Sequence, residues 1–180
     1  MPFEIDRAGL VEQIETVFTD ARSTKERAIW VHQLRLVSDE TLPYEAQEIE
    51  AVFRDRVWQT VAFEHLDQLR DLDSVAELSD DALIYYLPAL LIMALSDPSW
   101  LVNQETLEQR MIGSFGGLPA VQRAAAIAFV DYMVAYYSYL ISQQEDLDED
   151  QPYLDVEEIE YRLLMYLDEK RDLTAQQSEP

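Results

Sequence analysis

The sequence predicts an all-α fold: an irregular, single-domain helical bundle of about seven or eight helices. Three observations support this prediction. Apolar residues make up 48% of the 180 residues, which is enough for a buried core and too much for a disordered chain. Only 4 Gly and 7 Pro are present, too few for the many tight turns of a sandwich or barrel. Apolar side chains also recur at helical intervals along most of the chain.

The N-terminal half contains several helix signals in succession. Residues 5–20 place apolar side chains on one helical face, and the capping box Ser-Thr-Lys-Glu at residues 23–26 opens a second helix. A third helix begins near residues 41–43, where a threonine and a proline stand in starting positions. Helical spacing resumes after a break near Trp58, and His65 on this stretch is expected to be a partly buried core histidine with a local hydrogen bond.

Two helices are expected in the middle of the chain. Ser79 is placed to cap a strongly apolar helix that runs to about Ser96. Pro88 lies inside this helix and predicts a kink, because it removes a backbone donor. Pro98 starts the next helix, which is expected to end at Gly113.

The last part of the chain predicts a turn and two further helices. After a glycine-rich turn at residues 113–117, a long helix over residues 119–141 is apolar on nearly every side, so we expect it to be the central helix. An acidic linker follows at residues 145–150. The final helix is expected to turn one stripe toward the core, formed by Val156, Ile159, Leu163 and Leu167. The predicted domain covers residues 1–172, followed by a flexible tail at 173–180.

Charge and cysteine content restrict the function. The chain has 13 Lys and Arg against 36 Asp and Glu, a net charge of −23, which disfavours direct binding to nucleic acid or to anionic membranes. A protein partner with a basic surface is compatible with this charge. The absence of cysteine excludes disulfides and thiolate chemistry. The first residues lack the features of a signal peptide, and the apolar run at 124–141 contains Asp131, so we expect a cytoplasmic protein without a membrane span.

No catalytic, metal-binding or cofactor-binding residues are predicted. Neither His32 nor His65 has a glutamate three positions before it, so the Glu-x-x-His pattern of di-iron bundles is missing. The alternating acids that begin at Asp146 are similar to an EF-hand loop, but Gln151 replaces the glycine that its sharp turn needs. The glycine-rich turn lacks the Gly-Lys-Ser/Thr ending of a phosphate-binding loop. We therefore expect a protein that is not an enzyme and that has no cofactor.

Tyrosines and acids near the end of the long helix form the candidate partner surface. Tyrosine is enriched at protein interfaces, although a tyrosine stripe also occurs at the edge of a core. The candidate residues are Tyr132, Tyr136, Tyr137, Tyr139, Glu145, Asp146, Asp148, Glu149 and Asp150. A second candidate is a cleft at the Pro88 kink, lined by a freed carbonyl and by the neighbouring tyrosine hydroxyls.

One segment resembles a known group of proteins. It extends from Trp58 through the run Leu-Ser-Asp-Asp-Ala-Leu-Ile-Tyr-Tyr-Leu-Pro-Ala-Leu-Leu at residues 78–91. A Gln-Arg-Ala helix start at residues 122–124, followed by Phe129 and Tyr132, continues the likeness. The segment is similar to an uncharacterised bacterial family of small acidic helical domains of unknown function, over about residues 50–140. The resemblance implies a helical fold and carries no activity.

Three functions remain as hypotheses. The first is a non-enzymatic interaction module that binds a protein partner. The alternative is an acidic inhibitor or immunity-type protein that mimics nucleic acid and blocks a basic nuclease or DNA-binding surface, where steering by charge would speed association. The third is an enzyme of unknown type, which would need a deep pocket with convergent polar groups.

Overall fold

The fold is all-α, as predicted. The structure is a computed structural model of the chain. It describes residues 6–19, 49, 52–53, 56–66, 75, 78–102, 104–143 and 156–177. The helices are α1 (Arg7–Val17), α2 (Phe63–Leu66), α3 (Asp80–Ser96), α4 (Pro98–Val102), α5 (Glu105–Ser114), α6 (Ala120–Gln143) and α7 (Val156–Gln177). Short 3₁₀ turns occur at Trp58–Thr60 and Phe115–Gly117. No β-strand occurs in these ranges.

Several predicted segments fall outside the described residues. These are the helix opened by the capping box at residues 23–26, the start of the third helix at 41–43 and the acidic linker at 145–150. The chain divides into two compact units, one formed by Met1–Gln13 with Phe115–Pro180 and the other by Ile14–Ser114. The single domain over residues 1–172 stays a prediction.

Helix α3 is the main core helix of the unit Ile14–Ser114. Ser79 caps it as predicted, since its hydroxyl oxygen accepts a hydrogen bond of 3.3 Å from the Ala82 N–H. The helix is continuous through Pro88, and twelve of its 17 residues are buried. It packs against α4, α5 and the turn Trp58–Thr60. The sequence predicts the most complete burial for residues 119–141, whereas in the structure α3 is the more fully buried helix.

Two polar side chains connect α3 to distant parts of the same unit. The Tyr86 hydroxyl lies 2.8 Å from the Phe53 carbonyl oxygen and 3.0 Å from that of Arg56. Arg110 on α5 donates to the Leu78 carbonyl at 2.6 Å and to the Asp80 carboxylate at 2.7 Å. These bonds hold the start and the first turns of α3 to segments about 30 residues away in sequence.

The single helix predicted from Pro98 to Gly113 is wrong, because the structure has two helices there. The Gln104 N–H donates to the Leu101 carbonyl at 2.8 Å, and this tight turn ends α4. The Gln104 carbonyl then accepts from the Glu108 N–H at 2.8 Å, which begins α5. The break is local and gives no signal in the apolar spacing of the sequence.

Helices α6 and α7 form the main helix pair of the other unit, and the 3₁₀ turn Phe115–Gly117 packs against both. Seven of the 24 residues of α6 are buried and none from 125 to 137 is exposed, so this helix is covered along its middle but less fully than α3. Its apolar residues are partly small alanines, which give the helix a high hydropathy without requiring full burial.

Helix α7 continues to Gln177, so the predicted start of the flexible tail at residue 173 is wrong. Leu173 is fully buried. It extends the buried line of the helix beyond Asp172, and its burial stabilises the last turns.

Candidate interaction surface

The inner face of α7 packs against α6. The buried residues of α7 are Ile159, Arg162, Tyr166 and Leu173. The Tyr166 ring centroid lies 5.7 Å from that of Tyr137 and 6.5 Å from that of Phe129. The predicted stripe of Val156, Ile159, Leu163 and Leu167 is therefore wrong except at Ile159, since Val156 and Leu167 are exposed and Leu163 is half-buried.

One ion pair lies within α7, and a second joins α7 to α6. The Arg162 guanidinium is almost fully buried and lies 2.7 Å from the Glu158 carboxylate, one turn earlier. Lys170 lies 2.6 Å from Asp131 on α6, and both side chains are about half exposed. Because Tyr166, Arg162 and Lys170 hold one side of α7 toward α6, the opposite side faces away from it.

We define the outer face of α7 as Tyr161, Leu164 and Leu167. Their exposed fractions are 53%, 61% and 42%, and Val156 near the start of the helix is 43% exposed. These four are most of the six large apolar side chains that are exposed among the described residues. Single exposed apolar residues are ordinary, but a group of them on one helix indicates an interaction site.

Charged side chains surround the outer face. The exposed ones are Glu157, Glu160, Asp168, Arg171 and Asp172. The Arg171 guanidinium lies 3.0 Å from Asp168 and 3.5 Å from Asp172, and about two thirds of each of these side chains is exposed. The rim is thus mainly acidic, and it contains one arginine.

Glu169 lies between the inner and outer faces of α7 and is partly buried. Partial burial raises the pKa of Glu169, and the nearby Asp172 carboxylate raises it further. A carboxylate with a raised pKa is destabilised in its charged form by the fold.

The structure corrects the predicted partner surface at two of its tyrosines. Tyr132 and Tyr137 are fully buried, so they offer no area to a partner. Tyr136 and Tyr139 are partly exposed, and for them the prediction stays. The acids Glu145, Asp146, Asp148, Glu149 and Asp150 lie outside the described residues. Tyr137 is buried because the rings of Tyr136 and Tyr166 pack on it from two sides.

The outer face of α7 is not predicted from the sequence, because the apolar spacing places Leu167 on one stripe with Ile159 and Leu163. A signal was present: Tyr161, Leu164 and Leu167 are spaced three residues apart, beside a second apolar line through Ile159 and Tyr166. A helix with two apolar lines has more apolar surface than one neighbour covers.

A cleft in the unit Ile14–Ser114 is the second candidate site. Its volume is about 270 Å³, and it is lined by Glu15, Trp58, Gln59, Val61, Ala62, Phe63, Glu64, Ala89, Ile92, Met93 and Ser96. Pro88 and the tyrosines beside it are not among these residues and are buried, so this cleft is not the one predicted at Pro88. The two carboxylates lie among apolar side chains, and no lysine or arginine lines the cleft.

Three other features raised by the sequence are His65, metal ligands and a membrane-spanning helix. His65 is half-buried, and its Nδ1 accepts a hydrogen bond of 3.1 Å from the Ala62 N–H, which confirms the predicted local role. Within the described ranges, no three His, Asp or Glu side chains are grouped closely enough to hold a metal ion. By length and composition alone, α6 is one helix that could cross a membrane, although a core helix passes the same test.

These features define an all-α protein in which α7 packs against α6 on one side and exposes apolar side chains on the other. The chain belongs to a family of unknown function, DUF6714, which matches residues 6–158. This confirms the predicted likeness to an uncharacterised family. Comparisons with curated proteins and with solved structures gave no match. The family match ends near the start of α7, so Tyr161, Leu164 and Leu167 lie beyond the matched residues.

Proposed function

We propose that this protein is a non-enzymatic interaction module that binds a protein partner through the outer face of α7. The observation that carries the proposal is the exposure of Tyr161, Leu164 and Leu167 on a helix whose other side is packed. The proposal places the protein in the cytoplasm, as the sequence predicts, without catalysis or cofactor.

The outer face has the composition of an interface centre. Aromatic side chains in such a centre contribute much of the binding energy, and Tyr161 would take this position. Full burial of a leucine is worth about 1.5–3 kcal/mol, and Leu164 still exposes 61% of its side chain. Covering Leu164 would therefore contribute about 1–2 kcal/mol, which corresponds to roughly a five- to thirtyfold change in affinity.

Photo-crosslinking from the outer face tests the proposal directly. A photoreactive residue replaces Tyr161, and the protein is irradiated in native extract at low and at high salt. We expect one reproducible crosslinked species that disappears when Leu164→Asp is added. The matched control is Val121→Asp, because Val121 on α6 is 65% exposed and lies outside the outer face.

The control decides how the crosslink is interpreted. Val121→Asp should keep the crosslinked species, since it adds the same charge on the same unit at a different place. A species that resists Leu164→Asp, or that vanishes equally with Val121→Asp, would contradict binding at the outer face. The absence of any specific crosslink under both salt conditions would also count against it.

The nucleic-acid-mimic alternative is supported by the acidic rim around the same face. An inhibitor that acts by charge would bind a basic surface through carboxylates such as Glu157, Glu160 and Asp168. The two proposals predict opposite signs for Leu164→Asp. The added carboxylate should preserve or strengthen a charge-driven complex, whereas it should disrupt a complex centred on the leucines.

A further inference from the structure

We propose that the partner seated on the outer face is a second copy of this chain, with the two α7 helices packed antiparallel about a two-fold axis. This inference rests on the proposed function, because it names the partner for the same face. It is carried by the order of apolar and charged residues along the outer side of α7.

The order is symmetric about one point in the helix. Leu164 and Leu167 lie equally far from the midpoint between residues 165 and 166, and so do Glu160 and Arg171. At 3.6 residues per turn, these four residues fall within about 60° of one another around the helix axis. They therefore form a single line along α7, with glutamate at one end, two leucines in the middle and arginine at the other.

Such a line is complementary to itself when one copy is reversed. A two-fold axis through the midpoint sets Leu164 against the partner's Leu167, and Glu160 against the partner's Arg171. Each contact occurs twice, as a two-fold interface requires. The leucines would be covered on both copies, and the charges at each end would meet opposite charges.

The arginine distinguishes a second copy from a uniformly basic partner. A basic partner would meet Glu160 favourably but would set a like charge against Arg171, which costs affinity. In the single chain, Arg171 pairs with Asp168 and Asp172, and all three side chains are about two thirds exposed. Exposed pairs of this kind contribute little, so Arg171 can exchange them for the partner's Glu160.

The association of the two copies is expected to be weak and to strengthen as the salt concentration rises. Helix α7 has 22 residues and is about 33 Å long, so a single helix pair falls below the roughly 800 Å² per partner of a standard interface. Each copy carries a net charge of −23, and the two copies repel at long range. Added salt shortens the range of this repulsion, so self-association should strengthen as salt rises, whereas binding to a basic partner should weaken.

Sedimentation velocity on the full chain tests self-association. We expect the dimer fraction to rise as the protein concentration increases from about 10 to about 500 µM. It should rise again as sodium chloride increases from about 0.05 to 0.5 M. Leu164→Asp should raise the dissociation constant by at least about tenfold, whereas Val121→Asp should leave it near the wild-type value. Far-UV circular dichroism establishes that both variants remain folded.

A charge swap tests the register. Glu160→Arg alone should weaken the dimer, and so should Arg171→Glu alone, because each sets like charges opposite one another. The double variant should recover most of the wild-type affinity, since the pairs are restored in reverse. If Glu160 and Arg171 did not face each other across the dimer, the two losses of affinity would add and the double variant would show no recovery.

Cysteine crosslinking tests the antiparallel direction. The chain has no cysteine, so single cysteines report only the contacts they are placed to probe. An oxidised mixture of Leu164→Cys and Leu167→Cys should give the mixed disulfide in preference to either symmetric one. A parallel pair would instead join Leu164→Cys to itself.

The results separate the two proposals. A chain that stays monomeric at every concentration and salt overturns self-association, and a specific Tyr161-site crosslink to a different protein would then leave the proposed function standing. A dimer that Leu164→Asp does not weaken, or a charge swap without recovery, also overturns the inference. The absence of both dimer and crosslink contradicts both proposals.

Discussion

Replacement of Tyr86 by phenylalanine removes one hydroxyl group from the core helix α3 and leaves the ring in place. Tyr86 is fully buried, and its hydroxyl lies 2.8 and 3.0 Å from the carbonyl oxygens of Phe53 and Arg56. The ring contacts with Phe53 and Tyr85, at centroid distances of 4.7 and 4.9 Å, do not need the hydroxyl. The substitution therefore tests the hydrogen bond with little change in packing.

The expected loss of stability follows from the single proton that the Tyr86 hydroxyl can donate. One hydroxyl has one proton, so it donates to one carbonyl at a time. The Phe53 carbonyl also accepts from the Arg56 N–H at 3.2 Å, so the Arg56 carbonyl is the acceptor that the loss affects most. An unsatisfied buried acceptor costs about 1–3 kcal/mol, and we expect about 1–2 kcal/mol for Tyr86→Phe. For a chain of 180 residues this corresponds to a fall in Tm of roughly 2–8 °C.

Urea denaturation followed by far-UV circular dichroism measures the free energy of unfolding. The slope of that free energy against urea should not change, because the exposed surface of the unfolded chain is nearly the same. Tyr161→Phe is the matched control: Tyr161 is 53% exposed, so its loss of a hydroxyl should change the stability by less than about 0.5 kcal/mol. If the two variants had equal stability, the reasoning from the Tyr86 hydrogen bond would be refuted.

Three further predictions concern stability. Burial raises the pKa of Glu169, so its ionised form destabilises the fold; Glu169→Gln should raise the Tm at pH 7, and the gain should shrink as pH falls through the raised pKa toward the ordinary glutamate range. A gain that does not vary with pH would contradict this. In a double-mutant cycle, alanine at Lys170 and at Asp131 should give a coupling of about 0.2–1 kcal/mol that decreases in high salt, and a coupling of zero would contradict this prediction. Ser79→Ala should cost about 1 kcal/mol by thermal unfolding through loss of the α3 cap, whereas Ser79→Asp should retain most of that stability.

Much of the helical structure could be predicted from the sequence because its signals are local. The Ser79 cap, the apolar run of α3 and the hydrogen bond at His65 each depend on residues three to four positions apart. The break at Gln104 was missed, because a turn closed by backbone groups has no side-chain pattern.

The candidate site could not be predicted to the same extent. Apolar spacing identified α7 as a helix but did not say which of its two apolar lines would be buried. That choice depends on Tyr137 and Phe129, which lie 29 and 37 residues earlier in the chain and whose rings pack against Tyr166. The same packing buries Tyr137, which removes it from the surface where the sequence had placed it.

The sequence by itself determined the helical class, the Ser79 cap and the large negative charge, because these follow from composition and from neighbours within one helical turn. The tertiary structure decided which side of α7 is covered and which is exposed, since burial depends on contacts between residues far apart in the chain. Leu164 and Tyr166 are both apolar in the sequence, and only the packing against α6 makes one of them core and the other surface.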